Sequence, residues 1–142
     1  MTANTTAPHT TVARVPLGTR MVRDHVGVDP YELVLRHKDD EALAALASLL
    51  VTTATRLDFF DTEAARDIAH ASTEAARAAA DPDTHLGLSG AWTSLAQQAG
   101  RIDTGLARIA ELRQTLNAEL VTYTRVLAAH RPGGHLAPPP AS

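Results

Sequence analysis

At 142 residues with a formal net charge of −3, the chain is the size of one domain and carries no overall positive field to draw it to nucleic acid or an anionic membrane. The absence of cysteine excludes a disulfide scaffold and any thiolate metal site. Aromatic residues make up only 4% of the sequence, and its 44% hydrophobic share is dominated by alanine and leucine, a composition suited to close helix-on-helix contact.

Residues 1–15 are rich in Thr, Ala and Pro, show no periodicity and contain no basic stretch followed by an apolar run, so they read as a disordered tail and not as a targeting segment. No segment approaches the roughly 20 apolar residues of a membrane span, and the cytoplasm is the expected compartment. Residues 16–38 predict a short helical elbow with two helical signals separated by Gly27. In the second signal Asp29 is placed to cap, Pro30 occupies the first helical position and Glu32 lies in the first turn, which predicts a helix over 30–37.

The main signal begins after Asp39 and Asp40, either of which can cap it. Leu43, Leu46, Leu50, Thr53, Leu57, Phe60, Ala64, Ile68, Ala71, Ala75 and Ala78 recur at three- and four-residue spacing with one extra four after Phe60, a heptad stripe with a stutter. One helix over about 40–80 is favoured over two helices with a break near Phe59–Asp61. Asp81-Pro82-Asp83 ends it, because proline supplies no amide and clashes with the preceding turn. Leu86 and Leu88 are expected to plug the end of the reversal, with Ser89 as the next N-cap. From there Trp92, Leu95, Ala99, Ile102, Leu106, Ile109, Arg113, Leu116, Leu120, Tyr123, Leu127 and His130 repeat without interruption, predicting a helix over about 89–130. Arg131-Pro132-Gly133-Gly134 stops it, and residues 132–142 read as a second disordered tail.

Two segments of this length joined by a short loop must run antiparallel. The predicted fold is therefore all-α: a long, coiled-coil-like antiparallel hairpin over 39–131 with one or two short N-terminal helices. Folding about residues 85–86 sets Ile68 near Ile102, Leu57 near Arg113, Leu50 near Leu120 and Leu43 near Leu127. Arg113 is the exception among apolar neighbours and is expected to pair with Asp58 or Asp61. Leu49, Phe59, Leu112, Val121 and Val126 are left without cover by a lone hairpin, so either the 30–37 helix packs over the open end or a second copy completes a four-helix bundle, at about even odds.

Chemical motifs are sparse. Asp67 and His70 have the spacing used in helical di-metal sites, but no second acid–histidine pair accompanies them; Glu111 and Glu119 on the other helix have no histidine at suitable spacing. Gly87-Leu88-Ser89-Gly90 has the spacing of a nucleophile elbow but lacks the strand that motif requires, and reads as a helix cap. No catalytic, cofactor or metal residue is expected. Trp92 near the turn resembles the architecture of the small secreted WXG-type hairpins; here Trp92-Thr93-Ser94 stands where those carry Trp-x-Gly, so the similarity is architectural.

The sequence reads best as a non-enzymatic interaction or structural protein whose partner is another protein or itself. Its hairpin and assembly core is expected to comprise the apolar stripe residues above, with Leu50, Leu57, Phe60, Ile109, Leu116 and Leu120 as central anchors and Trp92 at the closed end. The alternative is a small DNA-binding regulator or antitoxin-like protein. Val22, Val26, Gly27, Val28, Asp29 and Leu33 fall where a helix-turn-helix places its apolar positions and turn glycine, and Arg20, Arg23 and Arg36 would reach DNA. That resemblance is partial, since Arg23 replaces a usually small residue and Arg36 a usually apolar one.

Overall fold

The computed structural model describes residues 14–80 and 87–130, with side chains in the second stretch from Thr93 onward. Residues 1–13 of the expected first tail, the whole expected tail over 132–142, residues 81–86 of the reversal, and the side chains of Leu88, Ser89 and Trp92 lie outside the described residues. Four helices follow one another: α1 (Leu17–Val26), α2 (Pro30–Arg36), α3 (Glu41–Ala80) and α4 (Gly87–Ala129). Among the described residues there is no strand. The two long helices, of 40 and 43 residues, pack against each other as an antiparallel hairpin.

Local chemistry sets most of the boundaries. Gly27 ends α1 in the left-handed conformation at φ 85°, where its amide donates back to the Arg23 carbonyl. Pro30 opens α2, which closes at Arg36. Asp40 caps α3, its carboxylate accepting from the Leu43 amide at 3.1 Å while its carbonyl accepts from Ala44. α3 runs through Phe59–Asp61 as one helix. α4 begins at Gly87, so Ser89 lies inside the helix and is not its cap.

The core is built where the two long helices meet. Leu50, Leu57 and Leu116 are fully buried, with Leu120 and Tyr123 at 2% exposure. Three cross-seam contacts define the register: Thr53 Oγ1 to Glu119 at 2.9 Å, the Phe60 ring beneath the Arg108 guanidinium, and Gly105 against the Ala64 methyl.

The phase of the seam differs from the sequence expectation on both helices. On α4, Leu112 is buried and Arg113 exposed, and Gly105 is more covered than Leu106, which is 48% exposed. Arg113 therefore needs no carboxylate partner. On α3 the seam runs Leu46, Leu50, Thr53, Leu57, Phe60, Ala64, Asp67, Ala71, Glu74 and Ala78, an unbroken heptad pattern without a stutter. Ile68 is 45% exposed and Ala75 is exposed, while the half-buried Asp67 and Glu74 occupy the seam. Glu74 is accommodated there by hydrogen bonds from the other helix: Gln98 donates to it at 3.3 Å, as does Ser94 at 3.4 Å.

A second, overlapping stripe on α3, formed by Leu43, Ala47, Leu50, Ala54 and Leu57, receives Val22 of α1 and Leu33 of α2. The first of the two expected ways to cover the hairpin is thus realised on one side. Asp58 and Asp61 fix this docking. Asp61 accepts from the Leu17 amide at 3.0 Å and from Arg14 at 2.6 Å, and Asp58 accepts from the Thr19 amide at 2.9 Å and from the Thr19 hydroxyl. Two carboxylates one turn apart on α3 thereby satisfy amides at the start of α1, which has no side-chain cap of its own. Arg14, expected in the tail, is part of this docking. Gly18 permits it: a Cβ there would stand 2.2 Å from the Ala54 carbonyl oxygen.

Replacing Leu116 with alanine is expected to cost about 2–5 kcal/mol, whereas Arg113→Ala should stay within about 0.5 kcal/mol; urea denaturation measures both. Gly18→Ala should cost about 1–3 kcal/mol through the steric conflict with Ala54.

Candidate functional site

α1 and α2 cover one long face of the hairpin and leave the opposite face open. On α3 that face follows Leu46, Leu49, Thr53, Arg56, Phe60, Glu63 and Asp67, alternating three and four residues. On α4 it follows Arg101, Gly105, Arg108, Leu112, Thr115, Glu119, Thr122 and Val126 by the same rule. Leu49 is 46% and the neighbouring Phe59 58% exposed. Towards the loop end a groove of ≈ 630 Å³ opens between the two helices, with Phe59, Phe60, Ala64 and Gly105 among its apolar lining and Asp67 and Arg101 on its two banks.

Among the described residues, two polar groups on this row are incompletely satisfied: Gln98, whose buried Oε1 has no partner, and Glu119. Burial pushes the Glu119 carboxyl above the usual carboxylate range, and the hydrogen bond from Thr53 offsets this only in part. Its other oxygen, Oε1, is buried and has no hydrogen-bond partner. Two turns away on the same row of α4, Leu112 is 7% exposed.

A second polar constellation ties the short helices to the open end of the hairpin. His37, just after α2, lies 2.6 Å from the Tyr123 hydroxyl, and His25 of α1 lies 3.1 Å from the Thr124 hydroxyl. Burial first, and the neighbouring Arg36 charge second, push the His37 imidazole below its usual range, against the opposing pull of Asp40. Burial likewise pushes the Tyr123 phenol up. The imidazole tautomer sets which of the two groups donates in this contact.

The expected core residues divide three ways. Leu43, Leu50, Leu57, Leu116, Leu120 and Tyr123 are buried inside the single chain; Leu46, Phe60, Leu95, Ile102, Ile109 and Leu127 are half-buried; Ile68 and Leu106 are exposed. Leu50, Leu57, Leu116 and Leu120 consequently hold the hairpin closed and are not free to form an assembly surface, contrary to their expected role as assembly anchors. Leu49 and Phe59 lie on the surface instead. Of the expected DNA contacts, Arg23 is bound by Asp29 at 2.8 Å and Arg36 by Glu32 at 3.6 Å, while Arg20 is exposed. With Arg14 also paired to Asp61, the expected positive bias of this end is largely neutralised by its own carboxylates. α2 is only 7 residues long and turns Tyr31 and Leu35, about 70% exposed each, to the surface. Among the described residues no three histidine or carboxylate side chains converge as metal ligands. Asp67 lines the groove, His70 is exposed, and Glu111 pairs with Arg108.

Because His37 binds its proton less readily in the fold than in the unfolded chain, the unfolded state takes up more protons as pH falls below about 6.5. Stability present above that pH is lost as pH falls through the depressed folded-state value. Thermal unfolding followed from pH 8 to 5 should show this decline, and His37→Gln should flatten it.

Comparison of the chain with protein-family models, with curated proteins and with solved structures finds no match in any of the three.

Proposed function

We propose that this chain is a non-enzymatic helical interaction protein that associates with itself through the hairpin face left open by α1 and α2. One observation carries the reading: Leu49 and Phe59 stand 46% and 58% exposed on a face that also holds the half-buried Leu46, Phe60 and Val126 and an apolar groove. A second pair of helices laid on such a face completes a four-helix bundle, the ordinary way for a hairpin to bury a second stripe. The groups whose proton affinities are displaced support a structural role. His37 and Tyr123 bond each other across the molecule and Glu119 bonds Thr53, so each of these contacts ties two elements together.

Two other readings are less well supported. α3 contains an 18-residue stretch of mean hydropathy 1.4, long and apolar enough by composition to cross a membrane, although the sequence reading placed no such segment. Only 33% of that stretch is buried within the hairpin, which is what an open interaction face on one long helix produces. Moving α3 into a bilayer would draw in the packed α4 with Arg108, Glu111, Arg113 and Glu119, each costly in hydrocarbon. A cytoplasmic assembly avoids that cost. For DNA contact through residues 19–36, the pairing of Arg23 and Arg36 with carboxylates of their own segment removes most of the charge that phosphate binding needs.

Sedimentation velocity across a concentration series should show a monomer–dimer equilibrium for the wild-type chain. The variant Leu49→Asp/Phe59→Asp should sediment as a monomer with unchanged helical circular dichroism, because both side chains are exposed in the single chain. A wild-type protein that stays monomeric at all concentrations overturns the reading.

A further inference from the structure

The open face carries a charge pattern that specifies how two copies meet. Along α3 it presents Glu63 and Asp67; along α4, close to the same levels, it presents Arg108 and Arg101. The levels are fixed by the cross-seam contacts Thr53–Glu119, Phe60–Arg108 and Ala64–Gly105. At these two levels the sign on one helix is therefore opposite to the sign on the other.

Resting on the self-association proposed above, we infer that two copies pack open face to open face about a two-fold axis parallel to the helices, so that each α3 lies on its partner's α4. A rotation about that axis leaves every level unchanged and exchanges left for right. It brings Asp67 and Glu63 of one copy over Arg101 and Arg108 of the other, in an isologous interface. Since α3 and α4 are antiparallel within a chain, every neighbouring pair in the resulting bundle is antiparallel as well. A two-fold across the helices would set α3 on α3 and α4 on α4, and forfeit the complementarity.

Independent observations favour this arrangement. Arg56, Asp67 and Arg101 make no ion pair among the described residues, although Glu63 and Arg108 each hold a neighbour on their own helix. Asp67 and Arg101 line opposite banks of one groove without bonding each other. The seam side of the groove, with Ala64 and Gly105, leaves room for a partner helix to approach.

Charge reversal tests the orientation separately from the association. Asp67→Arg and Arg101→Glu should each weaken the dimer roughly tenfold in sedimentation equilibrium, since each places like charges together twice across the two-fold. The double variant carrying both changes in one chain should return to within about twofold of wild type, because the pairs re-form with exchanged signs. An equimolar mixture of the two single variants should also assemble with near wild-type affinity. The control is the thermal midpoint measured below the dissociation constant, which should not show the same cancellation. A wild-type monomer overturns both the association and its geometry. A dimer in which the single losses add in the double variant, or in which the cancellation appears in the monomer's melting, leaves self-association standing and overturns this geometry.

Discussion

Asp58 and Asp61 lie one turn apart on α3 and take the free amides at the start of α1, with Arg14 closing over the second carboxylate. This contact decides which side of the hairpin is closed. Once the amides of Leu17 and Thr19 are held there, Val22 and Leu33 fall onto the stripe formed by Leu43, Ala47, Leu50, Ala54 and Leu57. The carboxylates gain the amide hydrogen bonds and the favourable end of a helix dipole, while the helix start gains the acceptors it otherwise lacks. Because α1 and α2 can lie on one side only, the other side of a helix pair with two apolar stripes stays open.

That asymmetry links packing to the proposed role. A hairpin whose two faces were both covered would offer a partner only charged outer surfaces. Here the covered face is tied down at both ends, by the aspartates at the N-terminal end of α1 and by His25 and His37 on Thr124 and Tyr123 at the other. The open face is left with Leu49, Phe59 and a partly satisfied Glu119. A buried acceptor without a donor is uncommon in a completed protein surface, and it lies on the same face as the exposed apolar side chains. In the proposed role stability and association would be separated by residue: Leu50, Leu57, Leu116 and Leu120 hold the hairpin closed, and the flank beside them is left for a partner.

The seam is also uneven along its length. Leucines meet at the end near α1 and α2, while beyond Phe60 the contacts are Ala64, Asp67, Ala71 and Glu74 against Gly105, Ile102, Gln98 and Ser94. Small and polar residues let the helices approach but bury little apolar area, so less hydrophobic stabilisation per turn is available there than at the leucine end. The groove opens in this thinner half.

The existence, order and approximate limits of the helices follow from the sequence alone. They depend on local chemistry: the proline that opens α2, the glycine in left-handed conformation that ends α1, the Asp40 cap and two long runs of three- and four-residue spacing. The antiparallel pairing follows as well, because two long helices joined by a short loop have no other arrangement. Only the tertiary structure decided the phase of the seam. A reading by hydrophobicity selects Leu106 and Ile68, whereas the packed helices set Gly105 and Asp67 there; close approach rewards the small side chain of Gly105, and farther along the seam Glu74 is satisfied by Ser94 and Gln98 of the other helix. The role of Asp58 and Asp61 was equally out of reach: their partners lie some 40 residues earlier in the chain, and no local pattern marks a carboxylate whose purpose is to cap a distant helix.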